Sequence, residues 1–297
     1  IEAIEVRTGT ASTIGGLIGL AQSSSLYNII VEAKANKLVF NVLVNYGRII
    51  DNKIDLNFAG VVAKSNSNSI SNVELNNINI NADYDINSNY TYNMRRYGVY
   101  FDMYFGGIVA NTSYSTITNV SNNYGIDINL QRDGVEEVSK ASTYSIYVGG
   151  ISGSMLYTNV VNAKAGRLNI SKIKVNAHYF YNYVGGLVGY VQDNCSISGN
   201  KQTENEYGNY SDIDVSILEG VKDNAYIGGL IGYNKASGNV VTNMFNLGNV
   251  STSKVKAVNG DILDSVGIIN LGGLVGYSDN GTYSFVYNAG DVQAVES

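Results

Sequence analysis

YVGGLVGY, at residues 183 to 190, is too rich in glycine for an ordinary strand and too apolar for an ordinary loop. The stretch recurs as YIGGLIGY at 226 to 233 and NLGGLVGY at 270 to 277, and four looser copies precede it. Neighbouring copies lie 36 to 47 residues apart, a period typical of architectures that stack or arrange one structural unit per repeat. The first small residue of each copy is Gly15, Ala59, Gly106, Gly149, Gly185, Gly228 or Gly272.

Two further segments follow each copy of the motif. The first of them ends in asparagine in six repeats, and asparagine suits either a left-handed turn or a ladder of stacked amide side chains. The next segment alternates apolar and polar residues, so that Ile213, Val215 and Ile217 share one face in DIDVSILE at 212 to 219. The segment-ending asparagines are Asn28, Asn72, Asn119, Asn159, Asn243 and Asn288.

These segments predict three short strands per repeat, each paired with its counterpart one repeat later. We therefore expect an all-β fold, a right-handed parallel β-helix (solenoid) of about seven coils. Residues 1–297 are expected to form a single domain, a segment of a larger or processed protein. A β-propeller would need four antiparallel strands per repeat and hairpin turns at fixed positions, which the sequence lacks. We interpret the glycine motif as a strand that is apolar on both faces and therefore covered on both.

Composition excludes several classes of partner. A net charge of −6 and a pI near 4.8 leave no basic surface for nucleic acid. No apolar run is long enough for insertion into a membrane, and the single cysteine, Cys195, excludes an internal disulfide framework. The single histidine, His178, provides no zinc-binding pattern, so we expect no metal and no cofactor.

The repeat resembles the GLUG motif, which is built around GGLVGY followed by a segment like SISN and a strand containing valine. The resemblance covers nearly the whole chain, and the copies at Gly15, Gly185, Gly228 and Gly272 are the most similar. GLUG repeats occur in bacterial surface and secreted adhesin-like proteins, and beside the catalytic part of immunoglobulin-A-cleaving zinc metallopeptidases. The resemblance implies an extracellular location, at the cell surface or secreted. With His178 as the single histidine, this segment is not expected to be such a catalytic domain.

Candidate catalytic groups are few, and we do not expect an enzyme. Polysaccharide hydrolases on β-helices use clustered carboxylates, for which Asp83 with Asp85 and Asp212 with Asp214 are the candidate pairs. Neither pair neighbours an acidic pair in an adjacent repeat, which favours ordinary solvated charge. Cys195 is expected to be buried as a small apolar residue. A polysaccharide-degrading enzyme is the less favoured alternative.

Extra residues fall repeatedly between the alternating segment and the next glycine motif, at 82 to 104, 131 to 147 and 259 to 270. Such insertions predict long loops at one corner of the fold. Tyrosine and arginine are dense in the first of these insertions, and the shorter stretch HYFYNY at 178 to 183 adds further tyrosines. These residues suit contact with a protein or carbohydrate ligand, although the rings also suit covering the glycine-rich sheet. The candidate binding residues are Tyr84, Tyr90, Tyr92, Arg95, Arg96, Tyr97, Tyr100, Tyr104, Tyr179 and Tyr181.

The sequence thus predicts an extracellular structural or adhesive module of a bacterial surface protein, which binds a protein or carbohydrate through a tyrosine-rich loop face. The alternative is a subunit that assembles with copies of itself into a filament or sheath. Both ends of a β-helix leave strand edges unpaired, and the sequence shows no amphipathic helix that would cap them.

Overall fold

The fold is all-β in the part of the chain that the computed structural model describes. No helix occurs there, and hence none that could cross a membrane. The described residues are 4–8, 12–32, 37–44, 53–76, 78–85, 100–131, 144–167, 171–177, 181–200, 206–218, 224–255 and 267–295.

Thirty described strands, numbered in chain order, form four parallel sheets. Sheet A contains β1 (Ile4–Thr8), β5 (Lys37–Val44), β9 (Asn79–Asp85), β13 (Ile126–Gln131), β17 (Lys172–Ala177), β22 (Asp212–Leu218), β26 (Val250–Val255) and β30 (Val292–Val295). Sheet B contains β2 (Ser12–Gly15), β6 (Lys53–Ala59), β10 (Tyr100–Gly106), β14 (Tyr144–Gly149), β18 (Tyr181–Gly185), β23 (Asn224–Gly228) and β27 (Ile269–Gly272).

The other two sheets follow the glycine pairs in the chain. Sheet C contains β3 (Ile18–Gln22), β7 (Val62–Asn66), β11 (Val109–Ser113), β15 (Ser152–Leu156), β19 (Val188–Val191), β24 (Ile231–Asn234) and β28 (Val275–Ser278). Sheet D contains β4 (Ser25–Glu32), β8 (Ser69–Asn76), β12 (Thr116–Asn122), β16 (Asn159–Ala165), β20 (Ser196–Ser198), β21 (Gly208–Asn209), β25 (Asn239–Asn246) and β29 (Gly281–Asn288).

Each repeat passes through the sheets in a constant order. The chain runs along sheet B, bends at the glycine pair, and continues through sheets C, D and A. The prediction of three strands per repeat is wrong because the glycine motif forms two strands. YVGGLVGY bends at Gly186 and Leu187, between β18 and β19. The result is a parallel, solenoid-like architecture in which every sheet collects strands from successive repeats.

The residues after the glycine pair face one common core. Leu187 and Val188 are both fully buried in the same hydrophobic cluster. Their expected placement on opposite faces of one strand is wrong, because the bend at the glycine pair turns both side chains inward. Of the residues equivalent to Leu187, Leu274 is half-buried and Leu17, in the first repeat, is 51% exposed. The four in the repeats between stack along the core with exposures of at most 1%: Val61, Ile108, Ile151 and Leu230.

Alternation in the segment that forms sheet A is confirmed. In β22, Ile213, Val215 and Ile217 are buried in the core, and the residues that alternate with them, Asp212, Asp214 and Ser216, are half-buried. One face of this sheet therefore packs on the core and the other is polar, as a period of two requires.

Asparagines in sheet D form a hydrogen-bonded ladder in left-handed turns, which confirms both interpretations of these residues. The φ angles are 52° to 56°, and each Nδ2 donates to the Oδ1 of the preceding member at 2.9 to 3.1 Å. Asn159 and Asn288 do not belong to this ladder, because strand register places Asn162 and Phe285 at the ladder position of their repeats. The asparagine ladder consists of Asn28, Asn72, Asn119 and Asn162.

A second, buried ladder lies beside the glycine pairs. Asn209 Nδ2 donates to Asn246 Oδ1, and Asn246 Nδ2 donates to Asn288 Oδ1, both at 2.7 Å. The second glycine of each pair leaves room for these amides. A Cβ atom on Gly186 would lie 2.3 Å from Asn209 Cγ and 2.1 Å from the carbonyl oxygen of Gly229. Glycine is therefore required here for close approach between repeats.

Candidate functional site

Seven tyrosines form a continuous cluster of rings, here called the tyrosine array, along sheets B and C. The four rings in sheet B are stacked with centroids 4.5, 4.9 and 5.2 Å apart. The three rings in sheet C are 5.4 and 5.0 Å apart, and the two columns meet at steep angles with centroids 4.9 to 5.9 Å apart. The array consists of Tyr104, Tyr147, Tyr183 and Tyr226 in sheet B and Tyr190, Tyr233 and Tyr277 in sheet C.

The glycine motif itself places these rings. Its tyrosines stand two residues before and five residues after the first glycine of the pair, as Tyr183 and Tyr190 do around Gly185. Gly189 lets the two sheets approach, since a Cβ atom there would lie 2.8 Å from the carbonyl oxygen of Tyr183 and 2.7 Å from the backbone nitrogen of Val148. Aromatic pairs in such arrangements contribute about 0.5–1.5 kcal/mol beyond their burial. The array therefore holds sheets B and C together.

Burial raises the pKa of most phenols of the array above the ordinary value near 10. Desolvation raises the pKa of Tyr104, and the charge of Asp102 raises it further. Burial also raises the pKa of Tyr190 to about 12. Tyr233 donates a hydrogen bond to Asp279 Oδ2 at 3.0 Å. At neutral pH these side chains supply apolar surface and hydrogen-bond donors.

Because of the tyrosine array, we expect the free energy of unfolding to decrease at alkaline pH. An unfolded tyrosine has a pKa near 10, and burial raises the pKa of Tyr147 and Tyr183 in the folded chain. The stabilisation is therefore complete below pH 10, and it declines above pH 10 because the unfolded state loses protons that the folded state retains. Tyrosinate absorbance during an alkaline titration should show one class of phenols ionising only with unfolding.

Tyr183→Phe is the matched variant for this titration. It should remove one phenol from the class that ionises only with unfolding. The free energy of unfolding of this variant should therefore fall less between pH 9 and pH 11 than that of the parent chain. Ionisation of every tyrosine near pH 10 with the fold intact would contradict the role of burial.

The predicted binding residues lie mostly outside the described residues. Tyr104 is 7% exposed and belongs to the tyrosine array, and Tyr181 is half-buried with its ring centroid 6.2 Å from that of Tyr183. Tyr84 and Tyr100 lie in β9 and β10, but their side chains are not described. The tyrosine-rich loop face therefore stays a prediction. The residues outside the described ranges are Tyr90, Tyr92, Arg95, Arg96, Tyr97 and Tyr179.

A second candidate surface, here called the sheet-D groove, lies along β4, β8, β12 and β16 and has a volume of about 730 Å³. The asparagine ladder lines it, and a neighbouring line is formed by register partners Ile30, Glu74, Ser121 and Lys164. Four strands at a spacing of about 4.8 Å give the groove a span of roughly 14 Å. It offers amide, carboxylate, hydroxyl and ammonium groups in regular succession.

One end of the sheet-D groove combines charge with an aromatic ring. Lys164 Nζ lies 2.8 Å from Glu206 Oε1 and 5.3 Å from the centroid of the Tyr207 ring. The two charged side chains are 32% and 42% exposed, so their ion pair stabilises the fold little. These groups are accessible to a ligand. Sequence reasoning missed this surface because Asn162 was not recognised as the ladder residue of its repeat.

The candidate carboxylate pair in β22 is engaged with the neighbouring strand. Asp212 Oδ1 accepts a hydrogen bond from the backbone nitrogen of Asn249 at 2.9 Å, and Asp214 Oδ1 accepts one from Ser251 Oγ at 3.4 Å. The side chains of Asp83 and Asp85 are not described. Both carboxylates of the β22 pair therefore make hydrogen bonds between repeats.

Cys195 is 2% exposed, as expected, and its Sγ donates to the carbonyl oxygen of Asp193 at 3.4 Å. Burial raises the pKa of this thiol to about 11, so it is protonated at neutral pH. His178 lies outside the described residues. Within the described ranges, no three His, Cys, Asp or Glu side chains converge to hold a metal ion.

Function has to be inferred from these surfaces. Comparison of the chain with protein-family models, with curated proteins and with solved structures gives no match.

Proposed function

We propose that the chain is a rigid module of a bacterial cell-surface or secreted protein and that it binds carbohydrate along the sheet-D groove. In this proposal the repeats form a right-handed parallel β-helix of about seven coils. The observation that carries the proposal is the row of four asparagine amides beside the charged line and the Tyr207 ring. The extracellular location rests on the resemblance to GLUG repeats.

The hydrogen-bonding capacity of the ladder supports a carbohydrate ligand. An asparagine amide has two N–H donors and an oxygen with two lone pairs. Asn72 and Asn119 each use one donor and one lone pair within the ladder. On these two strands one amide donor and one amide acceptor are therefore left for ligand hydroxyl groups, at a spacing fixed by the sheet.

The polarity of the groove further supports a hydroxyl-rich ligand. Pockets for apolar small molecules are lined mainly by hydrophobic side chains, whereas this groove is open and lined largely by polar ones. Its amides are held by hydrogen bonds in the free protein, so little side-chain freedom is lost on binding.

Replacement of Asn72 and Asn119 by glycine tests the proposal. Glycine keeps the left-handed backbone at both positions and removes both amides. With about 1 kcal/mol per lost hydrogen bond, the double variant should bind roughly tenfold or more weakly. The measurement is retardation in native gels cast with soluble polysaccharides: β-glucan, xylan, mannan, pectin and a glucosamine polymer.

Asn243→Gly is the matched control, because Asn243 also has a positive φ, 52°, in a repeat that does not line the groove. It should be retarded like the parent chain. Equal retardation of the parent and the double variant, or no retardation of the parent by any polymer, would rule out the groove as a carbohydrate site.

Two further proposals concern other surfaces. The tyrosine-rich loop at 82 to 104 is a proposed contact for a protein or carbohydrate ligand. Self-association is the alternative function, favoured by apolar side chains at both ends of the described stack, where Leu17 is 51% and Phe285 is 74% exposed. Polymers of the purified chain in electron micrographs would favour self-association, and monomers at high concentration would count against it. The proposal assigns no catalytic activity.

A further inference from the structure

Two exposed tyrosines stand at the turn between sheets C and D. Tyr114 and Tyr157 are 59% and 41% exposed, and their rings stack with centroids 4.9 Å apart and planes at 12°. Neither belongs to the tyrosine array. The pair therefore forms a separate aromatic surface that the array does not cover.

The backbone at these tyrosines is strained. Their φ angles are 51° and 46°, in the left-handed region that is sterically unfavourable for a bulky side chain. The equivalent turn holds small or polar residues in other repeats: Ser23, Ser67, Asn194 and Gly238. Because the two rings are exposed, burial does not offset the strain. A strained, exposed aromatic pair is an indication of function.

The arrangement of repeats leaves one face of the pair open. Tyr157 covers the face of Tyr114 on one side, and the next repeat on the other side carries only Ser67 at this turn. Beside Ser67, Asn66 Oδ1 accepts hydrogen bonds from Ser67 Oγ at 3.3 Å and Ser113 Oγ at 3.2 Å. The Asn66 oxygen is thereby occupied, and its Nδ2 group makes no hydrogen bond with the described residues.

We propose that Tyr114 and Tyr157 form a stacking platform for a pyranose ring of a carbohydrate ligand. The apolar face of the sugar ring packs on the open face of the Tyr114 ring, above Ser67 of the neighbouring repeat. The Nδ2 group of Asn66 donates a hydrogen bond to a sugar oxygen at the rim, and the Ser67 hydroxyl oxygen, whose proton is donated to Asn66, accepts one from a sugar hydroxyl. This inference takes its ligand class from the proposed function, but it uses none of the residues that line the sheet-D groove.

The test is the double variant Tyr114→Ser with Tyr157→Asn, which introduces residue types found at the same turn in other repeats. Relief of the positive φ strain should leave the unfolding temperature unchanged or raise it. Retardation by the same polysaccharide gels should weaken about tenfold. Tyr27→Ser, at an unrelated tyrosine that is 67% exposed, is the matched control and should bind like the parent chain.

The platform variant and the groove variant test the two proposed sites separately. Weaker binding by the platform variant with unchanged binding by the Asn72→Gly, Asn119→Gly variant supports the platform and rejects the groove. Unchanged binding by the platform variant overturns the platform, whether or not the groove variant is weakened. Equal weakening by Tyr27→Ser, or no retardation of the parent chain by any polymer, also overturns it.

Discussion

Gly186→Ala is expected to lower the free energy of unfolding by about 3 kcal/mol, because the new methyl group has no space between repeats. Its Cβ atom would lie 2.1 Å from the carbonyl oxygen of Gly229 and 2.3 Å from Asn209 Cγ. The oxygen belongs to the backbone of the next repeat, so relief requires a shift of the stack. Urea unfolding followed by circular dichroism measures the loss.

Gly238→Asn is the matched control for this substitution. Gly238 has φ 90°, and the nearest atom to an added Cβ is a side-chain oxygen of Asn194, at 2.7 Å. Because asparagine tolerates the left-handed region and this oxygen can move, the cost should stay below about 1 kcal/mol. A Gly186→Ala chain as stable as the parent would show that the glycine pairs do not pack closely between repeats.

Asn246→Leu is the second substitution with a large expected effect, a loss of about 2 kcal/mol or more. Asn246 is fully buried, and its Nδ2 donates to the Gly248 carbonyl oxygen and to Asn288 Oδ1, both at 2.7 Å. Its Oδ1 accepts from Asn209 Nδ2 at 2.7 Å. Leucine has a similar size but leaves these polar partners without a bond, as thermal and urea unfolding should report.

Asn119→Gly tests whether the exposed asparagine ladder contributes less to the free energy of unfolding than the buried ladder does. Asn119 makes two ladder bonds of 3.1 and 2.9 Å, but it is exposed, and water can replace them. Glycine also accepts its φ of 53°. The expected change is within about 0.5 kcal/mol. Equal losses for Asn246→Leu and Asn119→Gly would contradict the distinction that burial makes between the ladders.

The period of the motif and the alternation of residues were sufficient to predict parallel stacked strands. The period identifies equivalent residues such as Leu187 and Leu230, and stacked equivalents require parallel pairing. Alternation correctly placed Ile213 and Val215 in the core. These signals are local and repeated, so each copy supports the interpretation of the others.

The bend at the glycine pair could not be read from alternation. Leu187 and Val188 are adjacent and would face opposite ways in a strand, and only the tertiary fold turns both inward. The prediction failed similarly at Asn159, because the register pairs Asn159 with Thr116 at the start of β12. The ladder residue stands five positions after the left-handed turn, which in this repeat is Asn162, five residues after Tyr157.

Candidate sites were harder to predict than the fold. The tyrosine array was visible in the motif as Tyr183 and Tyr190, but the contact between its two columns depends on the bend. The sheet-D groove could not be predicted because its lining residues come together only through the strand register between repeats of unequal length. Tyr114 and Tyr157 carry no sequence signal until their positive φ angles are known.

Distances between spin labels test most directly the claim that the repeats stack in register. In a Cys195→Ala background, a label at Ser25 would be paired with one at Asn159, Val240 or Thr282, which the register places three, five and six repeats later. Stacking at about 4.8 Å per repeat predicts backbone separations of roughly 14, 24 and 29 Å. Distances that do not increase with the number of repeats would contradict the stacked fold and the surfaces built on it.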